Sequence, residues 1–296
     1  MRMPAETRKG ESLMKNNTGV SRKQRCSGII VKIVGILFAA CQFFPLIWVF
    51  CFSLCKDNEL FTSTLLKISI PPQWGNYVTA FVQGHILRFG INSILVTAVT
   101  VLLTDYLSLT LAYAFTRMKW KLNKYVFYGI LLGMMIPIHT TLLPNFLIFT
   151  KLHLINTPWA LIIPYTAFAL PSGVFIMCGF LESVPKSLEE AAVLDGCSIF
   201  KVIYNVVFPL TKTPLVTVTV MTFMSCWNEF IMAMTYLNSD KYYTLPFAVQ
   251  EFAGKYSSRY SVQFAVMVLS SLPAVLIYVF LNKYITKGVA FGAVKE

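Results

Sequence analysis

Between Lys32 and Lys56 the chain runs for 23 residues, Ile33 to Cys55, without a charged side chain. A bilayer core about 30 Å thick needs roughly 20 apolar residues of helix to cross it. A signal-peptide core is shorter, about 7–15 residues, so this run reads as an uncleaved membrane-spanning helix. Five more runs follow. The second extends from Phe89 to Phe115, interrupted only by Asp105. The third lies between Lys124 and Lys151, and the fourth between Pro158 and Glu182. The fifth runs from about Phe208 to Tyr236 with Asn228 and Glu229 near its far end, and the sixth lies between Arg259 and Lys283. The expectation is an all-α integral membrane protein with six transmembrane helices.

Composition agrees. The chain is 56% hydrophobic and 13% charged, with a mean hydropathy of +0.64. Soluble chains are about 45–50% apolar and about 25% charged, so there is too little polar surface here for a soluble enzyme, a secreted disulfide scaffold or a disordered chain. Lys and Arg exceed Asp and Glu by 25 to 13, a net charge of +12. On a membrane chain the positive-inside bias accounts for that excess, and no nucleic-acid partner is expected. The seven cysteines contain no CxxC pair, and His85, His139 and His153 are scattered, so no metal site is expected.

The basic residues also orient the chain. The segment 1–28, loop 117–124, loop 181–206 and the end after the sixth run carry sixteen of them against seven in the alternate connections. Both termini are therefore expected in the cytoplasm. Residues 1–28 read as a mobile cytosolic tail, 29–287 as the six-span domain and 288–296 as a C-terminal tail. Prolines at positions 45, 137, 144, 164, 171, 214 and 273 interrupt the spans. They fit the general proline richness of membrane helices as well as broken helices along a moving pathway.

The most informative segment is the cytoplasmic loop 183–209. Ser187 followed three residues later by Glu190 has the pattern of a capping box. Leu188, Ala191, Ala192 and Leu194 supply an apolar and small-residue face. Gly196 suits the left-handed position beyond a helix C-terminus, and Ser198 is placed to cap a second short helix ending before Pro209. The result is a helix–glycine–helix elbow. Asp195 stands out, because a carboxylate in a last turn opposes the helix dipole.

Glu190-Ala191-Ala192, three residues to Gly196 and nine more to Val206-x-Phe208-Pro209 resemble the EAA loop of ABC importer permeases, with Val206 and Phe208 replacing the usual Ile and Leu. Leu154-Ile-Asn-Thr157 with Ala160-Leu-Ile162, Pro185, Trp227-Asn-Glu-Phe230 and the ending Gly288 to Lys295 extend the likeness to the maltose-type carbohydrate branch. The resemblance implies a type I ABC importer permease fold and a place in a prokaryotic cell membrane. It implies a second homologous permease subunit, a cytosolic ATPase dimer, an extracytoplasmic sugar-binding protein, a sugar substrate and surrounding lipid. Glu190, Ala191, Ala192, Asp195 and Gly196 would form the joint with the ATPase. The outer loop 238–260 would meet the binding protein, and the tail 288–296 would lie as an extended strand against the ATPase.

The chain has no GxxxxGK[ST] run to cradle phosphates. It is expected not to be an enzyme itself, with ATP and magnesium held by the partner ATPase. Asp105 and Glu229 are acidic residues at membrane depth, where ionisable groups mark function by default. They support an alternative, an ion-coupled secondary transporter. Trp227 and Asn228 are candidates for the translocation pathway, since sugars stack on aromatics and hydrogen-bond to amides. An interfacial tryptophan anchor is the competing reading of Trp227.

Overall fold

The computed structural model describes residues 22–60, 66–253 and 259–293, with side chains described for these apart from 22–30 and 281–293. The segment expected as a mobile tail lies outside the described residues for 1–21, as does 254–258 of the outer loop. All regular structure among the described residues is helical.

Helix α1 (Arg22–Ser53) is longer than expected, taking in residues 22–28 that composition assigned to the polar tail. It packs chiefly along the last helix, α12 (Tyr260–Ala293), and leaves Val31, Ile36, Leu37 and Phe38 exposed. An apolar face of that kind suits contact with lipid or another membrane subunit. Helix α12 remains helical through Ala293, so residues 288–293 are helical where an extended strand was expected. A short helix α2 (Gly75–Gln83) packs on α12 at the far end of the bundle.

The second span, α3 (Ile86–Arg117), makes the most extensive contact in the bundle, with α6 (Trp159–Ser183). Ser93, Thr97, Thr100, Thr104, Ser108 and Ala112 recur along α3 at three- and four-residue spacing, and all are buried. In lipid the hydrophobic effect cannot drive helices together, so small residues that allow close backbone approach do so through packing. Gly173 on α6 meets this stripe, and a Cβ there would collide with the Ser108 hydroxyl.

Among the described residues four helices are long and apolar enough to cross a membrane, and the count reaches six if each bent pair is one span. The third span divides into α4 (Asn123–Leu132) and α5 (Leu142–Lys151), joined by short 3-10 turns and bent by 96° between Met135 and Ile138. Pro137 causes the break: it lacks a donor and drives Ile136 to an extended ψ of 117°. Pro45, Pro164, Pro171 and Pro273 lie inside helices that continue through them.

The loop 183–209 folds as α7 (Ser187–Leu194) and α8 (Ile199–Leu210). Helix α8 runs through Pro209 instead of stopping before it. A π-type turn at Ile203–Val207 absorbs the missing proline N–H by widening the helix just upstream. The chain then turns by 81° into α9 (Lys212–Trp227), and this bent pair makes the fifth span when six are counted. It breaks at Asn228–Phe230 and resumes as α10 (Ile231–Tyr236). Beyond it, the outer loop holds one further turn, α11 (Phe247–Gln250), packed on α12.

Besides a small cluster of Phe52, Cys55 and Leu60, two larger buried clusters hold the bundle. One lies toward the elbow, with Leu109, Val174, Met177, Leu181, Val202 and Val218. The other lies toward the far end, with Phe89, Leu161, Tyr165, Trp227, Tyr236 and Val262.

Candidate functional site

The elbow turns on Gly196, whose φ of 83° lies in the left-handed region. Its N–H donates to the Val193 carbonyl at 3.0 Å, and the Cys197 N–H donates to the Ala192 carbonyl at 3.0 Å. These two bonds form a Schellman motif, which ends α7 and sets the exit direction toward α8. The first turn departs from expectation. Ser187 is already helical, with Lys186 at the cap position, and no side chain caps the helix. The Glu190 N–H that a capping box would use donates instead to the Lys186 carbonyl at 3.0 Å. Ser198 does occupy the cap position of α8, again without a side-chain bond.

Glu190, Ala191, Asp195 and Gly196 are exposed and Ala192 is half-buried. They share the elbow with exposed Leu188, Val193 and Phe200, and with Leu194, which is 88% exposed. Apolar side chains standing out beside two carboxylates on a well-defined backbone have the form of a docking knob.

Sequence reasoning missed the residue next door. Glu189 is buried, and its Oε1 accepts a 2.8 Å bond from Nε of Arg117 at the end of α3. The Arg117 guanidinium also donates to the Val184 carbonyl, just past the end of α6, at 2.9 Å. Only 7% of the Arg117 side chain and 8% of the Glu189 side chain remain exposed. By sequence Arg117 is one orienting charge of the basic loop 117–124. Nothing in the paired Glu189-Glu190 shows which acid turns inward.

The structure does not bring Asp105 and Glu229 together. Asp105 Oδ2 accepts a 2.6 Å bond from Thr219 on α9, and its Oδ1 is buried without a partner. Glu229 lies ten residues beyond Thr219, about 15 Å along a helix. Its Oε1 accepts the Met232 N–H at 2.7 Å. Its Oε2 accepts the Ala233 N–H at 3.2 Å and the Tyr165 hydroxyl at 2.6 Å. Glu229 therefore works first as the side-chain cap of α10, an anion at a helix N-terminus where the dipole favours it. Asp105 and Glu229 thus sit in separate hydrogen-bonded settings. No group of three or more His, Cys, Asp or Glu side chains converges among the described residues.

Trp227 and Asn228 lie beside a cleft of about 240 Å³ that Leu245, Met267 and Ser270 also line. Trp227 is buried, stacks on Phe223 at 5.3 Å and donates from Nε1 to the Ser270 carbonyl at 3.1 Å, pinning the fifth span to α12. Asn228 is exposed and donates to the Met224 carbonyl at 2.8 Å. A cleft of about 280 Å³ opens between the third, fourth and fifth spans, lined by Ile138, Tyr165, Phe168, Ser172, Ser225 and Glu229 among others.

The far end is held by Asn156, itself left-handed at φ 61°. Its side-chain carbonyl accepts the Asn238 and Ser239 N–H groups, and its own N–H donates to the Tyr236 carbonyl at 3.1 Å. The Leu154 to Thr157 motif thus has a local reason, since it fastens the end of the fifth span to the connection before the fourth.

Residues 106–291 match the family model described as binding-protein-dependent transport system inner membrane component. The chain is 31% identical to the sulfoquinovosyl glycerol transport system permease protein SmoH of Agrobacterium fabrum, over 85% of this chain and 88% of that one. It is 28% identical to the trehalose/maltose transport system permease protein MalG of Thermococcus litoralis, over 93% of this chain and 99% of that one. Its fold matches a chain of a bacterial ABC transporter involved in the import of the acidic polysaccharide alginate, with a TM-score of 0.76 at 24% identity, covering 89% of this chain and 98% of that one. The chain belongs to the family of inner membrane components of binding-protein-dependent transport systems.

Proposed function

We propose that the chain is a membrane-spanning permease subunit of an ATP-driven importer for a sugar or oligosaccharide delivered by a solute-binding protein. The exposed elbow carries this reading. A left-handed glycine, two outward carboxylates and unpartnered apolar side chains form a knob suited to a cleft on another protein. That protein is a cytosolic ATPase dimer, which binds the ATP and magnesium for which this sequence has no phosphate loop. Relatives named for sulfoquinovosyl glycerol, starch degradation products and trehalose/maltose support a carbohydrate cargo.

In this reading both termini are cytoplasmic, on the side of the elbow, and the far end meets the binding protein. Glu190, Ala191, Asp195 and Gly196 contact the ATPase, with Ala192 backing them. A second, homologous permease subunit closes the other wall of the pathway. This chain's wall is the cleft between the third, fourth and fifth spans, where Tyr165 and Phe168 offer aromatic surface. Ser172, Ser225 and the Glu229 carboxylate offer hydroxyl partners to a sugar, and Asn228 stands exposed at the break close by.

The test is uptake in vesicles rebuilt with the partner permease, the ATPase and the binding protein, using a labelled panel of raffinose, maltotriose and arabinotriose. Uptake of at least one sugar should need both ATP and binding protein, and should persist when ionophores collapse the ion gradients. Uptake that follows the gradient and ignores ATP would overturn the proposal.

A further inference from the structure

We propose that the buried Arg117–Glu189 pair is the tie that makes the elbow and the second span move as one body. This inference rests on the coupling role proposed above for the elbow. The elbow is otherwise attached to the bundle by its own chain ends and by apolar packing of α8. That packing is shared with α7, through Val202, Ile203 and half-buried Ala192 in the cluster around Met177. Apolar packing permits sliding. A bond from Nε to Oε1 at 2.8 Å with a second guanidinium bond at 2.9 Å to the Val184 carbonyl fixes direction as well as distance.

The geometry joins three elements at one guanidinium. Arg117 belongs to the last turn of α3, Val184 ends α6, and Glu189 sits in the first turn of α7. Tyr113, one turn earlier on α3, also faces the Glu189 carboxylate. Arginine suits this position because its planar fork serves two acceptors at once, while a lysine ammonium is a point charge. The charges are shielded from water, so removing one partner strands the other. When an ATPase draws the elbow sideways, the pull therefore reaches the ends of α3 and α6 directly. Both residues are positioning residues, because they act through the elbow and do not face the ATPase.

The test uses the assembled complex in lipid vesicles, with spin labels at Leu102→Cys on α3 and Val193→Cys on α7 in a background where the native cysteines are replaced. Both sites are exposed. In otherwise native chain the 102–193 distance distribution should stay narrow and unshifted between nucleotide-free and ATP–vanadate-trapped states. In Glu189→Gln and Arg117→Gln it should widen or shift by about 5 Å, one helical turn. Arg117→Lys keeps the charge but loses the two-acceptor fork, so its distribution should fall between those of native chain and the Gln variants. An equally narrow distribution in the two Gln variants overturns the proposal, as does an Arg117→Lys distribution broader than theirs. If the Gln variants and the Lys variant all fail to assemble, the pair serves assembly alone and the proposal falls.

A separate arm places a photo-crosslinker at Leu194, whose side chain stands free on the elbow. Capture of the ATPase subunit together with unaltered 102–193 distances in the Glu189→Gln and Arg117→Gln variants overturns the tie alone. Absence of any ATPase adduct in the assembled complex overturns the coupling role of the elbow, and the tie with it.

Discussion

The chain breaks its helices in two different ways at the two ends of the same bundle. At the elbow, the break between α7 and α8 is made by backbone: Gly196 adopts φ 83° in open space, and no side chain is needed to hold it. At the far end, the break between α9 and α10 is made by a side chain. Glu229 gathers two backbone N–H groups and the Tyr165 hydroxyl inside the protein. The difference shows how a membrane protein solves one problem in two solvents. Freed backbone groups at the elbow are available to water, whereas those at membrane depth need a partner from the protein itself.

Removing the Glu229 carboxylate should therefore be the most damaging of the simple changes. Glu229→Ala leaves the Met232 and Ala233 N–H groups and the Tyr165 hydroxyl buried without acceptors, and both N–H groups belong to fully buried residues. At about 1–3 kcal/mol for each stranded donor, the loss is about 3–5 kcal/mol after partial relaxation. Thermal unfolding of the purified complex measures it. Glu229→Gln keeps one carbonyl acceptor and should recover about half of the loss. An unfolding temperature unchanged in Glu229→Ala would mean that the break does not depend on its carboxylate.

The elbow break should respond to backbone geometry alone. Gly196→Val places a β-branched residue at φ 83°, a strain of about 1–2 kcal/mol with no clash to add to it. Membrane insertion and pairing with the second permease should persist, while ATP hydrolysis stimulated by the binding protein falls as α8 leaves α7 at a new angle. Gly196→Asn, which tolerates the left-handed region, should lose far less. Equal stimulated hydrolysis in Val and wild-type complexes would remove the elbow angle from the coupling step.

These breaks were not equally legible in the sequence. Gly196 could be placed because a left-handed helix end depends on a few neighbouring residues, and the pattern around it is local. The six apolar runs were legible for the same reason, although their bends were not: Pro137 bends its span by 96°, while Pro164 and Pro171 are carried inside a continuous helix. The capping box at Ser187 does not form, since the Glu190 N–H goes to the Lys186 carbonyl, and the neighbouring Glu189 pairs with Arg117, 72 positions away. No local pattern reports that pairing. Nor does one report the bond of Trp227, whose acceptor, the Ser270 carbonyl, lies on another span.

The smallest expected effect comes from the other acid at membrane depth, and it sharpens the contrast with Glu229. Asp105 has one donor, the Thr219 hydroxyl at 2.6 Å, and leaves Oδ1 buried with no partner. It caps no helix and does not line the cleft. Asp105→Asn keeps a carbonyl for Thr219 and removes a charge that is poorly compensated. A charge–hydroxyl bond exchanged for a neutral one loses about 1 kcal/mol, and relief of charge burial offsets it. The unfolding temperature of the complex should therefore stay within a few degrees of wild type or rise, and uptake should be unchanged within about twofold, well under the tenfold that 1.4 kcal/mol represents. A fall of tenfold or more in uptake by an intact Asp105→Asn complex would assign the charge a part in transport. The two buried carboxylates would then have exchanged the roles that their hydrogen bonds give them.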